Sequence, residues 1–395
     1  LWKENKNDIG EDRYQEFYKY LAEDYQNPLL YHHFSVDAPL SIQSILFCPG
    51  ENLEQRGLGK LEGGVRIYSR RVMIREKSDE LLPPWLRFLR GVVDSDEIPL
   101  NISRETMQDS ALMRKLGRII TGRFLSYLDD LSRKDPDLYL EFYRKFGIFL
   151  KEGLASDAEH QEKLLKLLRF ETSGKEAGQF VSLDEYLESA GEDAGEIYYL
   201  SGSGREALEK SPYLEVFRQK EREVLFSYDG LDDYVLSMAG NYRGKRFVSA
   251  ENAELAVDKA TAVLNDPELE ELTQWMKDSL GEQVSEVKIS DRLVESPALV
   301  KNPLGMTSNL ERWFTLMEDR EAVVAPRILE INPSHPLMEK LYRHKQVNPE
   351  RALLAAQQIF DQAMLSAGLP VDIRKLVERM NRLLEETLDI QETAQ

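Results

Sequence analysis

In the stretch DSDEIPLNISRETMQDSALMRKL, residues 94–116, an arginine falls in the first turn of a helix that the spacing places from Ser103 onward. A helix N-terminus gathers unpaired backbone N–H groups and the positive end of the dipole, which disfavours a cation by roughly 0.3–1 kcal/mol. Arg104, with Asn101 before it and Gln108 one turn on, therefore has two readings. It is an incidental arginine on a surface helix, which periodicity alone favours. Alternatively it belongs to an anion site, its guanidinium fork adding to N–H groups that already point at a ligand. Asn101 and Gln108 would then supply neutral donors.

A second candidate is SGSGREA, which sets Gly202, Gly204 and Ala207 in G-x-G-x-x-A spacing between a strand and a helix. With Asp229 at the end of the next strand, this fits a dinucleotide-binding turn and hence an oxidoreductase. An ordinary tight turn is the commoner outcome, because only two strands accompany it. Asp94, Asp96 and Glu97 offer paired carboxylates, more simply read as a solvated acidic turn. His32 and His33 have no partner cluster and read as packing residues. With five histidines, one cysteine and no H-E-x-x-H, no metal site is expected.

The formal net charge of −19 argues against nucleic acid or an anionic membrane as partner. No apolar run approaches the ~20 residues of a membrane span. Cys48 stands alone, so no intramolecular disulfide is possible and a reducing compartment is expected. The opening LWKENKNDIGEDRYQEF has no signal-peptide character and reads as though mid-protein, which predicts a fragment.

These residues need elements to position them, and hydrophobic periodicity supplies a mixed α+β set. A helix is predicted over 11–25 and strands over 41–49 and 64–76. PPWLRFLRG reads as a short helix closed by Gly91, and the long helix from Ser103 steps through Met113, Leu116, Ile120 and Phe124. More helix follows, then a loop at 172–182 and a strand–turn–helix–strand–helix unit within 183–248. The polar, alanine-rich segment 249–271 is the expected domain boundary. Beyond it come a helix at 267–280, a strand SEVKIS and an amphipathic segment, 305–317, carrying Met306, Leu310, Trp313, Phe314 and Met317. That segment is core or an adaptable binding face, core being favoured. Two closing helices, 349–367 and 371–389, carry Leu353, Leu354, Ile359, Phe360 and Met364, then Ile373, Leu376, Val377, Met380, Leu383 and Leu384. This exceeds what one hairpin can hide, and a second copy forming a four-helix bundle would cover it.

WLRFLRGVVDSDEIPLNISRETMQDSALMRKL (85–116), FYKYLAEDYQNPLLYHHFSVDAPL (17–40) and RILEINPSHPL (327–337) closely resemble signatures of the heat-shock protein 90 chaperones. Within that family the likeness is greatest to the bacterial high-temperature protein G and mitochondrial tumour-necrosis-factor-receptor-associated branches. The resemblance covers residues 1 to about 388. It implies a middle domain of two α/β sandwich lobes joined by helices. An α+β C-terminal dimerisation domain follows, ending in a helical hairpin. The implied limits are 1–155 for the large lobe, 156–250 for the connector and small lobe, and 262–395 for the dimerisation domain.

The resemblance also implies residue roles. Arg104 would reach the γ-phosphate of ATP, with Asn101 and Gln108 shaping the same catalytic loop, and Trp2 would serve interdomain communication. Asp233 and Tyr234 fall where bacterial members expose an acid–tryptophan pair. Met306 and Leu310, with Trp313 and Phe314 beside them, fall on client-contacting positions. Leu353, Leu354, Phe360, Met364, Leu376, Met380, Leu383 and Leu384 are the expected dimer interface. ATP with Mg²⁺ is the implied cofactor of the full-length protein, held mainly by an N-terminal domain that nothing in this sequence resembles. The chain alone is expected to bind none and to be inactive as an ATPase. The implied partners are a second copy, unfolded or partly folded clients and that N-terminal domain. The implied compartment is the bacterial cytoplasm or, alternatively, the mitochondrial matrix. A dinucleotide-dependent oxidoreductase built on Gly202 and Gly204 and a non-catalytic interaction scaffold are the rival functions.

Overall fold

The computed structural model describes residues 1–57, 59–78, 81–100, 111–191, 195–257, 262–317 and 325–393. They form two compact units, Leu1–Arg169 and Phe170–Gln395. Both mix helices with sheet, as the α+β expectation requires.

The first unit opens with α1 (Glu11–Ala22) and a five-stranded sheet of β1 (Leu30–Val36), β2 (Ile42–Cys48), β3 (Gly64–Ser69), β4 (Val72–Ser78) and β5 (Arg90–Asp94). The strand order is β1-β2-β5-β3-β4, with only β3 and β5 parallel. The single strand expected over 64–76 is in fact a hairpin. Arg70 (φ 49°) and Arg71 (φ 72°) both take left-handed backbone, as a tight two-residue turn requires. Gly91 does not close a helix. The helical part of that stretch is one 3₁₀ turn, Pro84–Leu86, and Gly91 pairs with Leu46 inside β5. A Cβ there would stand 2.3 Å from the Ile45 carbonyl oxygen, so only glycine lets the strands approach.

Three helices cover the sheet: α2 (Ala111–Lys134), α3 (Pro136–Ser156) and α4 (Gln161–Leu167). Asp135 caps α3 by accepting the Leu138 N–H at 3.1 Å, with Pro136 in the first turn. Phe88, Phe124, Phe142, Phe146 and Phe149 are fully buried and form a continuous aromatic seam between these helices and β5.

The second unit begins with a sheet of β6 (Glu171–Thr172), β7 (Glu196–Ser201), β8 (Leu225–Ser227), β9 (Asn241–Tyr242) and β10 (Lys245–Ser249), ordered β6-β8-β7-β10-β9. β7 runs parallel to both β8 and β10, as a β-α-β unit demands. Its helices are α5 (Leu183–Ala190), started by a Ser182–Glu185 capping box, α6 (Arg205–Glu209), α7 (Glu215–Gln219) and α8 (Gly230–Ala239). After α9 (Asp266–Leu280) comes a three-stranded sheet, β11 (Val284–Ile289), β13 (Arg327–Ile331) and β12 (Ala298–Lys301) in that order. The remaining helices are α10 (Ser308–Met317), α11 (Pro336–Val347), α12 (Pro349–Ser366) and α13 (Ile373–Thr393). Leu272, Met276, Val300, Leu329, Met338 and Phe360 meet in the core they enclose. The alanine-rich segment is not a solvated linker along its whole length, since Ala250, Glu251 and Ala253 are buried.

Candidate functional site

Asn101, Arg104 and Gln108 lie outside the described residues. The elements on either side are firmly set. β5 delivers the chain to Asp94, and α2 receives it at Ala111. Ser95 and Ile98 are buried, the Ser95 N–H donates to the Tyr68 carbonyl at 3.1 Å, and Ser69 Oγ donates to the Ile98 carbonyl. On the far side Gly117 brings α2 so near Leu81 that a Cβ would stand 2.1 Å from the Leu81 carbonyl oxygen.

Trp2 is tied to this same root. Its indole Nε1–H donates to Asp94 Oδ2 at 3.0 Å, and its ring lies 4.8 Å from that of Tyr68. Lys3 Nζ stands 3.3 Å from the same carboxylate oxygen, and the Arg71 N–H donates to it at 3.1 Å. Asp94 is therefore no solvated turn residue, as its place beside Asp96 and Glu97 led the sequence reading to expect. It is a buried acceptor whose Oδ2 gathers three donors, while its Oδ1 is buried without a hydrogen-bond partner among the described residues. Asp96 and Glu97 are exposed, as expected. His32 stacks between Phe34 (4.8 Å) and Tyr127 (4.4 Å). Burial lowers its pKa to about 4, and nearby Lys6 and Arg123 act in the same direction, so it is a neutral packing residue.

The Gly202 turn makes a packing contact instead of a phosphate cradle. A Cβ on Gly202 would meet Leu208 Cδ2 at 2.6 Å, and the helix that follows has five residues. Asp229, the acid a ribose would need, caps α8 by accepting the Leu231 N–H at 3.0 Å. Among the described residues no cluster of three or more His, Cys, Asp or Glu side chains suits a metal ion.

The client candidates gather where α10 lies on α8. Trp313 stacks on Tyr234 with ring centroids 5.6 Å apart, and Phe314 meets Tyr234 edge-on at 6.4 Å. A Cβ on Gly230 would stand 2.4 Å from Trp313 Cδ1, so glycine opens the seat for the indole. Met306, Leu310, Trp313 and Phe314 are all half-buried, and Met306 precedes the helix instead of lying on it. Asp233 departs from the exposed pair expected of it. It is 0% exposed because Tyr199 Oη (3.0 Å) and Thr307 Oγ1 (2.6 Å) both donate to its carboxylate. Glu251, which no sequence pattern singled out, is buried in the same cluster. An acid inside SAENAE carries no signal that distinguishes burial from exposure.

The dimer candidates divide. Phe360 and Met364, expected at a dimer interface, are buried within their own unit, because α12 presents that face to its core. Leu353, Leu354, Leu376 and Leu383 are half-buried. Met380 and Leu384 are exposed, and with Ile373, Val377 and Leu388 they make one stripe along α13 at spacings of 4, 3, 4 and 4. Leu388 extends the stripe beyond the residues the sequence reading named.

A family model described as Hsp90 protein matches residues 1–395. The chain is 46% identical over 394 residues to the chaperone protein HtpG of Desulfitobacterium hafniense, covering 98% of this chain and 64% of that protein. It is 38% identical over 398 residues to the mitochondrial TNF receptor-associated protein 1 homolog of Dictyostelium discoideum, covering 98% and 56%. The 75 kDa mitochondrial heat shock protein of Rattus norvegicus is 38% identical over 407 residues, covering 98% and 57%. The chain thus spans less than two thirds of the length of each.

Proposed function

The chain belongs to the Hsp90 family, and we infer from that premise that it is the client-binding and dimerising part of an ATP-dependent molecular chaperone. The observation that carries this reading is a family match running the whole length of the chain. In it, Arg104 meets the γ-phosphate of ATP held by an N-terminal domain, with Asn101 and Gln108 shaping the loop. A preorganised cation there stabilises charge that develops on the transferring phosphoryl group. The anchoring of Trp2 to Asp94, the last residue of β5, supports a role for Trp2 in passing motion to that loop. Clients meet Tyr234, Met306, Leu310, Trp313 and Phe314, and the α13 stripe pairs with a second copy. The relatives carry bacterial and mitochondrial names, which supports the bacterial cytoplasm or the mitochondrial matrix as its compartment. No helix among the described residues is long and apolar enough to cross a membrane.

Two experiments test this. Joined to a relative's ATP-binding domain, the Arg104→Ala chain should lose at least tenfold in kcat, on the order of 1.4 kcal/mol in the barrier, with little change in ATP affinity. An unchanged kcat would leave the non-catalytic scaffold as the better reading. Suppression of client aggregation should fall in a Met306→Ser/Leu310→Ser double variant, and full retention would remove α10 from client binding.

A further inference from the structure

Two buried carboxylates close on the first turn of α10 from outside the helix. Glu251 sits just after β10 on a segment fixed by Arg292, whose guanidinium donates to the carbonyls of Ala250, Glu251 and Ala253 at 3.1 Å each. Glu251 Oε2 accepts the Ser308 N–H at 2.9 Å and Ser308 Oγ at 2.8 Å. Asp233 on α8 accepts from Thr307 Oγ1, which in turn accepts the Leu310 N–H at 3.2 Å. Of the N–H groups that a helix start leaves without an intrahelical partner, that of Ser308 is thus satisfied by Glu251 from another element, and that of Leu310 by the helix's own cap Thr307, which Asp233 holds in place. One turn on, Glu311 takes a two-point grip from the buried Arg327 at 2.7 and 2.5 Å, and beyond it Trp313 rests on Gly230 and Tyr234.

We propose that Glu251 and Asp233 form a clasp on the start of α10 that sets how far Trp313 and Phe314 can leave α8 to meet a client. The clasp makes both positioning residues, and it rests on the client-binding reading given above. A helix fastened at its first turn by side chains of other elements is released as a unit when those bonds are lost, and its apolar face leaves with it.

The clasp responds to protons. Burial pushes the Glu251 carboxyl up to about 7; the two Ser308 bonds and Arg292 oppose the rise, and Asp233 adds to it. Burial also raises Asp233, against the bonds from Thr307 and Tyr199 and with help from Asp232. The groups facing the pair are therefore Asp232 on α8, Tyr199 on β7, Tyr213 and Arg292. A docked Glu251 holds its proton more tightly than a released one with the ordinary value of 4.5. Docking is therefore firmest at or below that value and weakens as pH climbs towards 7.

Amide hydrogen exchange on the whole 395-residue chain tests this, with the intrinsic pH dependence of exchange removed. Protection of residues 308–317 should fall about tenfold or more between pH 5 and 7.5, and Glu251→Gln should flatten that slope. Glu251→Ala should cost α10 at least tenfold in protection at pH 5 while α12 keeps its own, and should tighten binding of reduced, carboxymethylated α-lactalbumin as the unfolded probe. Should that variant not fold, Ser308→Ala removes one of the two bonds from the helix side and should give a smaller loss. A flat wild-type profile, an unaltered slope in Glu251→Gln, or undiminished protection in both truncations would overturn the clasp. Loosening of α10 with no change in probe affinity would uphold the clasp and overturn the client-binding reading.

Discussion

The aromatic seam of the first unit and the α13 stripe of the second are both products of helical periodicity, with opposite outcomes. Phe88, Phe124, Phe142, Phe146 and Phe149 find partners within their own unit and leave almost no surface to water. On α13, Ile373 and Leu388 remain 56% and 64% exposed although their spacing is as regular. An apolar face written into a sequence states that something must cover it, and only the fold says whether the cover lies in the same chain. In the first unit α2 and α3 supply it. In the second, α12 turns its own apolar face to the sheet and meets α13 partly through polar contacts, including Arg379 Nη1 to Gln357 Oε1 at 3.1 Å and an Arg379–Asp361 ion pair. A contiguous apolar stripe left in water is the usual mark of a protein partner.

Truncation should separate the two regions most widely. Phe146→Ala should destabilise the first unit by ~3–5 kcal/mol, because the void sits among three other rings. Leu388→Ala should leave the stability of an isolated protomer within about 0.5 kcal/mol, as removal of an exposed side chain does. Chemical denaturation measures both, and equal losses would erase the distinction. Asp361→Ala should come next, costing about 1–3 kcal/mol in the attachment of α13, since it strands the partly buried Arg379. Faster amide exchange confined to α13 is the expected sign, and uniform loosening of the unit would contradict it.

The smallest effect is a pH dependence at the end of the seam, where His32 stacks on Tyr127 beside Phe124. Folded His32 titrates near 4 against an ordinary 6.5, so between those values the unfolded chain binds the extra proton. Stability is full above 6.5 and falls as pH drops towards 4, by on the order of 2 kcal/mol. His32→Phe should remove that slope, and persistence of the slope would assign it to another group.

Much of this arrangement could be read from residue order, and the exceptions share a physical cause. Helices with a capping residue and a regular stripe, such as α9 and α12, fall within a residue or two of their predicted limits. The β3–β4 hairpin was hidden because its turn uses two arginines where glycine, asparagine or aspartate gives the usual signal. The burial of Asp94, Asp233 and Glu251 was hidden for a different reason. Whether an acid is solvated or enclosed depends on donors distant in sequence, such as Trp2, Thr307 and Ser308, and no local pattern records them. Phe360 and Ile373 look alike as helical apolar residues, and the sheet beneath α12 alone divides core from surface.

Whether the uncovered stripe belongs to a second copy is decided by sedimentation equilibrium of the 395-residue chain, with Met380→Glu/Leu384→Glu alongside. The wild type should sediment at micromolar concentration as twice its 45.6 kDa, and the double variant as a single protomer with unchanged circular dichroism. A monomeric wild type, or a variant that still pairs, would contradict the account.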